Sequence, residues 1–337
     1  DVALRDANAI VLGASTVGQN LTVTSGGNVT QSGALVVGGT TGITAGANAI
    51  TLGNAANSLT GAVSLNNSGA NNVSLVNNRA TVLGTSSVGS GTLSVSSNAA
   101  GAITQTGAVT QAAGGGAVTF SAGANAITLG NAGNDFTGAV GVANTGANDV
   151  ALRDANAIVL GASTVGQNFS VTAAGSISQT GALVVGGALG LSIDVAQNQD
   201  VLLATSDNNI AGAVTVSVTG GATLQDVGLR NVNAAAALPG LPASLRNLDV
   251  QFTEAQVVLP DVVLTGTLNV LSKGNITQAA NGLKVTGAST LTVTQPASNI
   301  TLTGSNNEFS SVVLSKAGSG TMAAVSVNDK DSNPPTT

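Results

Sequence analysis

One stretch of twenty residues, present twice, limits what this chain can become more than any other feature. Asp1 to Asn20 reads DVALRDANAIVLGASTVGQN, and Asp149 to Asn168 repeats it letter for letter. A looser copy, NNVSLVNNRATVLGTSSVGS, starts at Asn71; it keeps Val73, Leu75, Val82, Leu83 and Gly84 while the polar letters drift. A chain that copies itself over tens of residues folds by stacking units that cannot close a core alone.

Two further markers set the period. The motif Gly-x-(Ile/Val)-(Thr/Ser)-Gln begins at Gly27, Gly101, Gly175 and Gly274, at intervals of 74, 74 and 99. An apolar residue in an Asn-rich setting recurs at Leu59, Phe136, Ile210 and Phe309, at intervals of 77, 74 and 99. Both markers lengthen at the same place, and by the same step. Since 74 is close to three such steps and 99 close to four, the expected unit is about 25 residues, with one unit inserted once. Within it, segments such as Leu21-Thr22-Val23-Thr24 and Ala49-Ile50-Thr51-Leu52 alternate apolar with polar, the period of a half-buried strand. Gly-Gly, Asn-Asn and Ser-Gly pairs punctuate them as turns. Strands and corners at this spacing describe coils of a parallel β-helix, an all-β solenoid of roughly 13–14 coils at about 25 residues each. At about 4.8 Å per coil such a rod is on the order of 65 Å long. The competing fold is an antiparallel sandwich, which wants aromatic or disulfide anchors. This chain has five Phe, no Trp and no Cys.

The expected organisation is regular coils over residues 1–219, an irregular inserted coil or loop over 220–262, coils again over 263–328, and a linker or exposed tail over 329–337. The irregular stretch holds most of the charge variety, and loops leaving a rigid stack are where specific contacts evolve. Arg230, Arg246, Asp249, Glu254 and Asp261 are therefore the candidate contact residues. The inward letters of the twenty-residue stretch are expected to be Val2, Leu4, Val11 and Leu12. Asp149, Arg153 and Asp154 resemble a possible carboxylate site, but the middle copy has Asn72, Val76 and Asn77 there, so they read as corner residues facing solvent. Asp194, Asp200 and Asp207 are spaced too widely for a calcium loop. No catalytic residue, metal site or cofactor is expected. Thr290, Thr292 and Thr294 alternate as on an ice-binding surface, but the pattern does not recur at the coil period.

Nine Lys and Arg scattered singly, against a net charge of −6, cannot build a phosphate-binding stripe, which excludes nucleic acid as a partner. No apolar run approaches the length of a membrane-spanning helix, so no membrane insertion of this segment is expected. Residue 1 falls inside a repeat motif without a signal peptide, as in a segment of a longer polypeptide or a mature form.

Units such as Gly-Asn-Ile-Thr-Gln-Ala (274–279), Ala-Asn-Ala-Ile-Thr-Leu-Gly-Asn (124–131) and Asn-Asp-Phe-Thr-Gly-Ala-Val (134–140) resemble the repeat region of filamentous-haemagglutinin-like exoproteins. These are large bacterial surface adhesins exported by two-partner secretion. The resemblance implies a right-handed β-helix at the outer surface of a Gram-negative bacterium, with an adhesive, biofilm or structural role and no catalysis. Implied partners are other cells, surfaces or extracellular polysaccharide. Self-association, end to end or side by side as a filament or surface layer, is the first alternative. A carbohydrate-active β-helix enzyme is the second. The Asn-Pro-Asn-type motifs of the family's secretion domain are not seen in the sequence.

Overall fold

The computed structural model describes residues 1–98, 101–221, 223–279 and 282–330. They form two compact units, Asp1–Ala174 and Gly175–Thr337. Each is a parallel β-solenoid, and every strand pairing within the two units is parallel with the strand one coil away. The described residues contain no helix. Together the units hold about 15 turns of about 21 residues.

The coil is therefore shorter than the marker intervals suggest, and the turns are more numerous. The reason lies in two kinds of half-coil. One is a single strand of four to six residues, such as Val2–Asp6 or Leu21–Ser25. The other is a pair of short strands bent at a corner, such as Ile10–Leu12 with Ser15–Val17. Residues 2–66 alternate the two kinds, ending as they began on a single strand, Val63–Asn66. That makes seven half-coils, or three and a half turns. The next strand, Val73–Val76, is again a single one, and it starts the same series on the opposite face.

The register records the exchange. Val63–Asn66 stacks on the single strand Thr41–Thr44 on one side. On its other side it meets a short pair, with Val63 opposite Leu83 and Asn66 opposite Ser87. Val140–Asn144 does the same on the opposite face, with Val140 opposite Leu160 and Ala143 opposite Thr164. From Val2–Asp6 to Val150–Asp154 one face holds seven successive pairings, in keeping with about 21 residues per turn. The shorter marker interval is thus three and a half coils, not three.

In Gly175–Thr337 the longer interval has the same logic. Four pairings carry one face from Ile177–Gln179 through Gln199–Leu203, Leu224–Asn231 and Asn247–Phe252 to Leu268–Ser272. A further half-coil reaches Ile276–Gln278, so the interval is four and a half coils and one coil is extra. The extra coil contains Leu224–Asn231, a connection over 232–243, and Ser244–Leu245. Asn247–Phe252 already belongs to the regular stack. Of the expected tail, Asp329 and Lys330 still touch the coil before them, the Lys330 N–H donating to the Asn307 carbonyl at 2.8 Å. Residues 331–337 lie outside the described ones.

The core is a column of Val, Leu and Ile, each contributing about 1.5–3 kcal/mol when buried. Val23, Ile43, Leu52, Leu65 and Leu75 are within 1% of full burial. All five Phe are buried, and Phe120 and Phe136 meet edge to face at 6.0 Å. The twenty-residue stretch shows how context decides burial. Val150 and Leu152 are buried between strands on both sides, whereas their twins Val2 and Leu4, paired on one side, are 37% and 42% exposed. Val11 is not a core residue: it sits at the outward position between Ile10 and Leu12 and is 65% exposed.

Candidate functional site

The two sequence markers meet in space. The Gln that ends the first marker and the Asn two residues before the second lie 26 to 29 positions apart and form one reciprocal amide pair. Asn57 Oδ1 accepts from Gln31 Nε2 at 2.8 Å, while Asn57 Nδ2 donates to Gln31 Oε1 at 2.9 Å. The same oxygen accepts the Leu35 N–H, and the same nitrogen donates to the carbonyls of Leu52 and Val76. Asn134 with Gln105, Asn208 with Gln179, and Asn307 with Gln278 repeat the pairing at 2.7–3.0 Å. All four Asn are fully buried. The lock satisfies the backbone where a coil bends at its short pair, because a bent corner cannot continue the strand ladder. Glycine follows the glutamine by two residues in three copies. A Cβ on Gly33 or Gly107 would sit 2.3 Å from the backbone nitrogen of the previous corner, Ala14 or Thr85.

One coil further on, a second side chain caps the apolar marker residue. Asn77 accepts the Leu59 N–H at 2.9 Å, and Asn231 the Ile210 N–H at 3.0 Å. Asp154 accepts the Phe136 N–H at 2.8 Å, and Asp329 that of Phe309. Asp154 is therefore not a corner residue facing solvent: it is 1% exposed and points into the stack. Burial pushes its carboxyl above the ordinary value of 3.8, against the lowering pull of the Phe136 and Asn156 N–H groups. Asn77 and Asn231 also donate to the carbonyls they face, at 3.0 and 3.1 Å, which an ionised carboxylate cannot do.

A pKa raised by folding means that the folded chain holds the proton more tightly. The resulting stability is present in acid and is lost as pH rises from about 3.8 through the raised value. Asp154→Asn is expected to be more stable than the parent at pH 7 by roughly 1–2 kcal/mol and to match it near pH 3. Urea midpoints across that range check it. Equal midpoints at pH 7 would remove the carboxylate penalty.

The candidate contact residues do not converge on one point. Arg246 grips Asp226 with two bonds of 2.8 and 2.5 Å and lies 3.8 Å from Asp200. Its guanidinium holds the Asp226 carboxyl below the usual carboxylate range. Arg230 pairs with Asp207 and donates to Gln251 at 2.8 Å; Gln251 in turn bonds Asp249, which also accepts from Asn269. Arg230 and Asp249 are thus brought together through Gln251. Glu254 pairs with Lys273, and Asp261 caps the Gly282 N–H at 2.8 Å. Sequence reasoning missed these partners, although a signal existed: residues of opposite charge lie 19 to 24 positions apart, one coil.

Beside the extra coil lies a cleft of about 330 Å³, walled by Val218, Leu224, Leu245 and Pro242 and edged by Asn198, Thr223, Gln225 and Arg246. No aromatic side chain reaches it, and no group of three or more acid, His or Cys ligands occurs among the described residues.

These features define a modular parallel β-solenoid, its module seven half-coils long and closed by an amide lock. The chain belongs to the family described as Repeats of unknown function (DUF5649), whose model matches residues 1–66, 70–143, 147–217 and 246–316. No curated protein and no solved structure matches it. The family segments coincide with the modules, and the gap from 218 to 245 is the extra coil.

Proposed function

We propose that this chain is a non-catalytic structural segment of a bacterial surface adhesin or fibre. It spaces an adhesive region from the cell and contributes to attachment and biofilm. The observation that carries the reading is the amide lock. The most regularly kept polar letters, Gln and Asn at four sites, are spent on holding one coil to the next. The charged side chains of residues 200–308 are likewise tied between coils, by ion pairs or, for Asp249 and Asp261, by hydrogen bonds. A glycosidase needs a carboxyl with a raised pKa in its cleft, whereas no carboxylate lines this cleft, and Asp226, held by the edge residue Arg246, is lowered. The resemblance to filamentous-haemagglutinin-like exoproteins supports an extracellular place at a Gram-negative surface. Other cells, surfaces or extracellular polysaccharide are then the partners.

Antibodies against the chain should label intact cells of the source bacterium, and external protease should remove the signal. In-frame loss of the segment should reduce attachment. Detection only after lysis would sink the proposal. Incubation with neutral and acidic polysaccharides should release no reducing ends or unsaturated products.

A further inference from the structure

Between Ala7 and Asn148 the chain carries two charged residues, Arg79 and Asp135. Neither lies on the face built by Ile10–Leu12, Val29–Gln31, Ile50–Leu52, Val73–Val76, Leu93–Ser96, Val118–Gly123 and Val140–Asn144. Those seven strands contain no Asp, Glu, Lys or Arg at all. Their register places the outward side chains Thr30, Thr51, Ser74, Ser94 and Thr119 in one column, a hydroxyl on each of five successive coils. The half-turn between modules produces a counterpart on the opposite face, where Thr104 is followed by Thr128, Ala151 and Ser170.

We propose that the uncharged face running from Ile10 to Asn144 is a side-by-side contact surface for a second copy of this chain. Three observations favour that occupant. Surfaces without net charge lack the repulsion that keeps copies apart. A second copy offers the same axial spacing of about 4.8 Å, so hydroxyls stay in step over the five coils that carry them. Seven strands averaging four residues, about 13 Å across, give roughly 400 Å² per copy, the size of a weak and reversible contact. The absence of surface aromatics weakens the rival occupant, a polysaccharide held by ring stacking. The inference sharpens the self-association considered for a surface fibre, but its test uses purified chain and stands apart from cell-surface labelling.

Sedimentation of the full chain over a concentration series should show reversible association that persists in 1 M salt. The double variant Thr51→Lys, Ser94→Lys should remain monomeric with an unchanged melting curve. Mixing it with Thr51→Glu, Ser94→Glu should restore a complex that salt dissolves. A parent that stays monomeric throughout, or Lys variants that associate as the parent does, would overturn the proposal. So would a monomeric parent that pellets with insoluble cellulose.

Discussion

Leu52→Asp is expected to open the coils around it. Leu52 is fully buried in Ile50–Leu52 and stacks on Leu75 of the next coil. The substitution removes about 2–3 kcal/mol of burial and leaves a carboxylate with no partner, a further penalty of several kcal/mol. In a solenoid each coil contacts only its neighbours, so the loss should stay local. Limited proteolysis should cut between about residues 29 and 76, while the unfolding of Gly175–Thr337 keeps its midpoint. Thr51→Asp, one residue away and outward, should stay within about 0.5 kcal/mol of the parent. If Leu52→Asp resists protease like the parent, the inward assignment of this strand is wrong.

The amide lock predicts the second large effect. Asn134→Ala strands the Gln105 amide, the Val109 N–H and the Leu129 carbonyl at a fully buried corner. Each buried group left without a partner costs about 1–3 kcal/mol, and with partial relaxation a loss of about 3 kcal/mol is expected. Asn208→Ala should lose a similar amount, since Gln179, Leu183 and Leu203 stand in the same relation to it. The exposed Asn78 supplies the control, and its replacement by Ala should shift the urea midpoint little. A loss below about 1 kcal/mol at Asn134 would mean that water replaces the lock.

The strands and their inward sides were readable because Val, Leu and Ile alternate with Thr and Ser, and Val23 and Leu52 point where the alternation puts them. The coil length was not readable. A single strand and a short pair both alternate, so nothing in the letters says that the interval from Gly27 to Gly101 closes on a half-turn. Val11 was misplaced for a related reason: in Ile10-Val11-Leu12 all three letters are apolar, and only the flanking corner decides which faces out. The Gln and Asn markers were visible as punctuation, but their pairing was hidden, because the partners lie 26 to 29 positions apart with a whole coil between them. Arg230, Arg246, Asp249, Glu254 and Asp261 share a stretch of sequence, yet each is tied to a different neighbour in an adjoining coil.

An odd number of half-coils gives the module a parity. Gain or loss of one module within Asp1–Ala174 would swap the two faces for everything beyond the change, moving any side-borne contact to the other side. Gain or loss of two would change length and leave the sides alone. The two identical stretches, starting at Asp1 and Asp149, stand at that separation of two modules, or seven coils. Both also hand on to the next strand at the same offset, Val2 opposite Leu21 and Val150 opposite Phe169. Exchange between them would join Asn20 to Phe169 without a seam. The duplication is thus placed where the chain can vary its reach and keep its orientation.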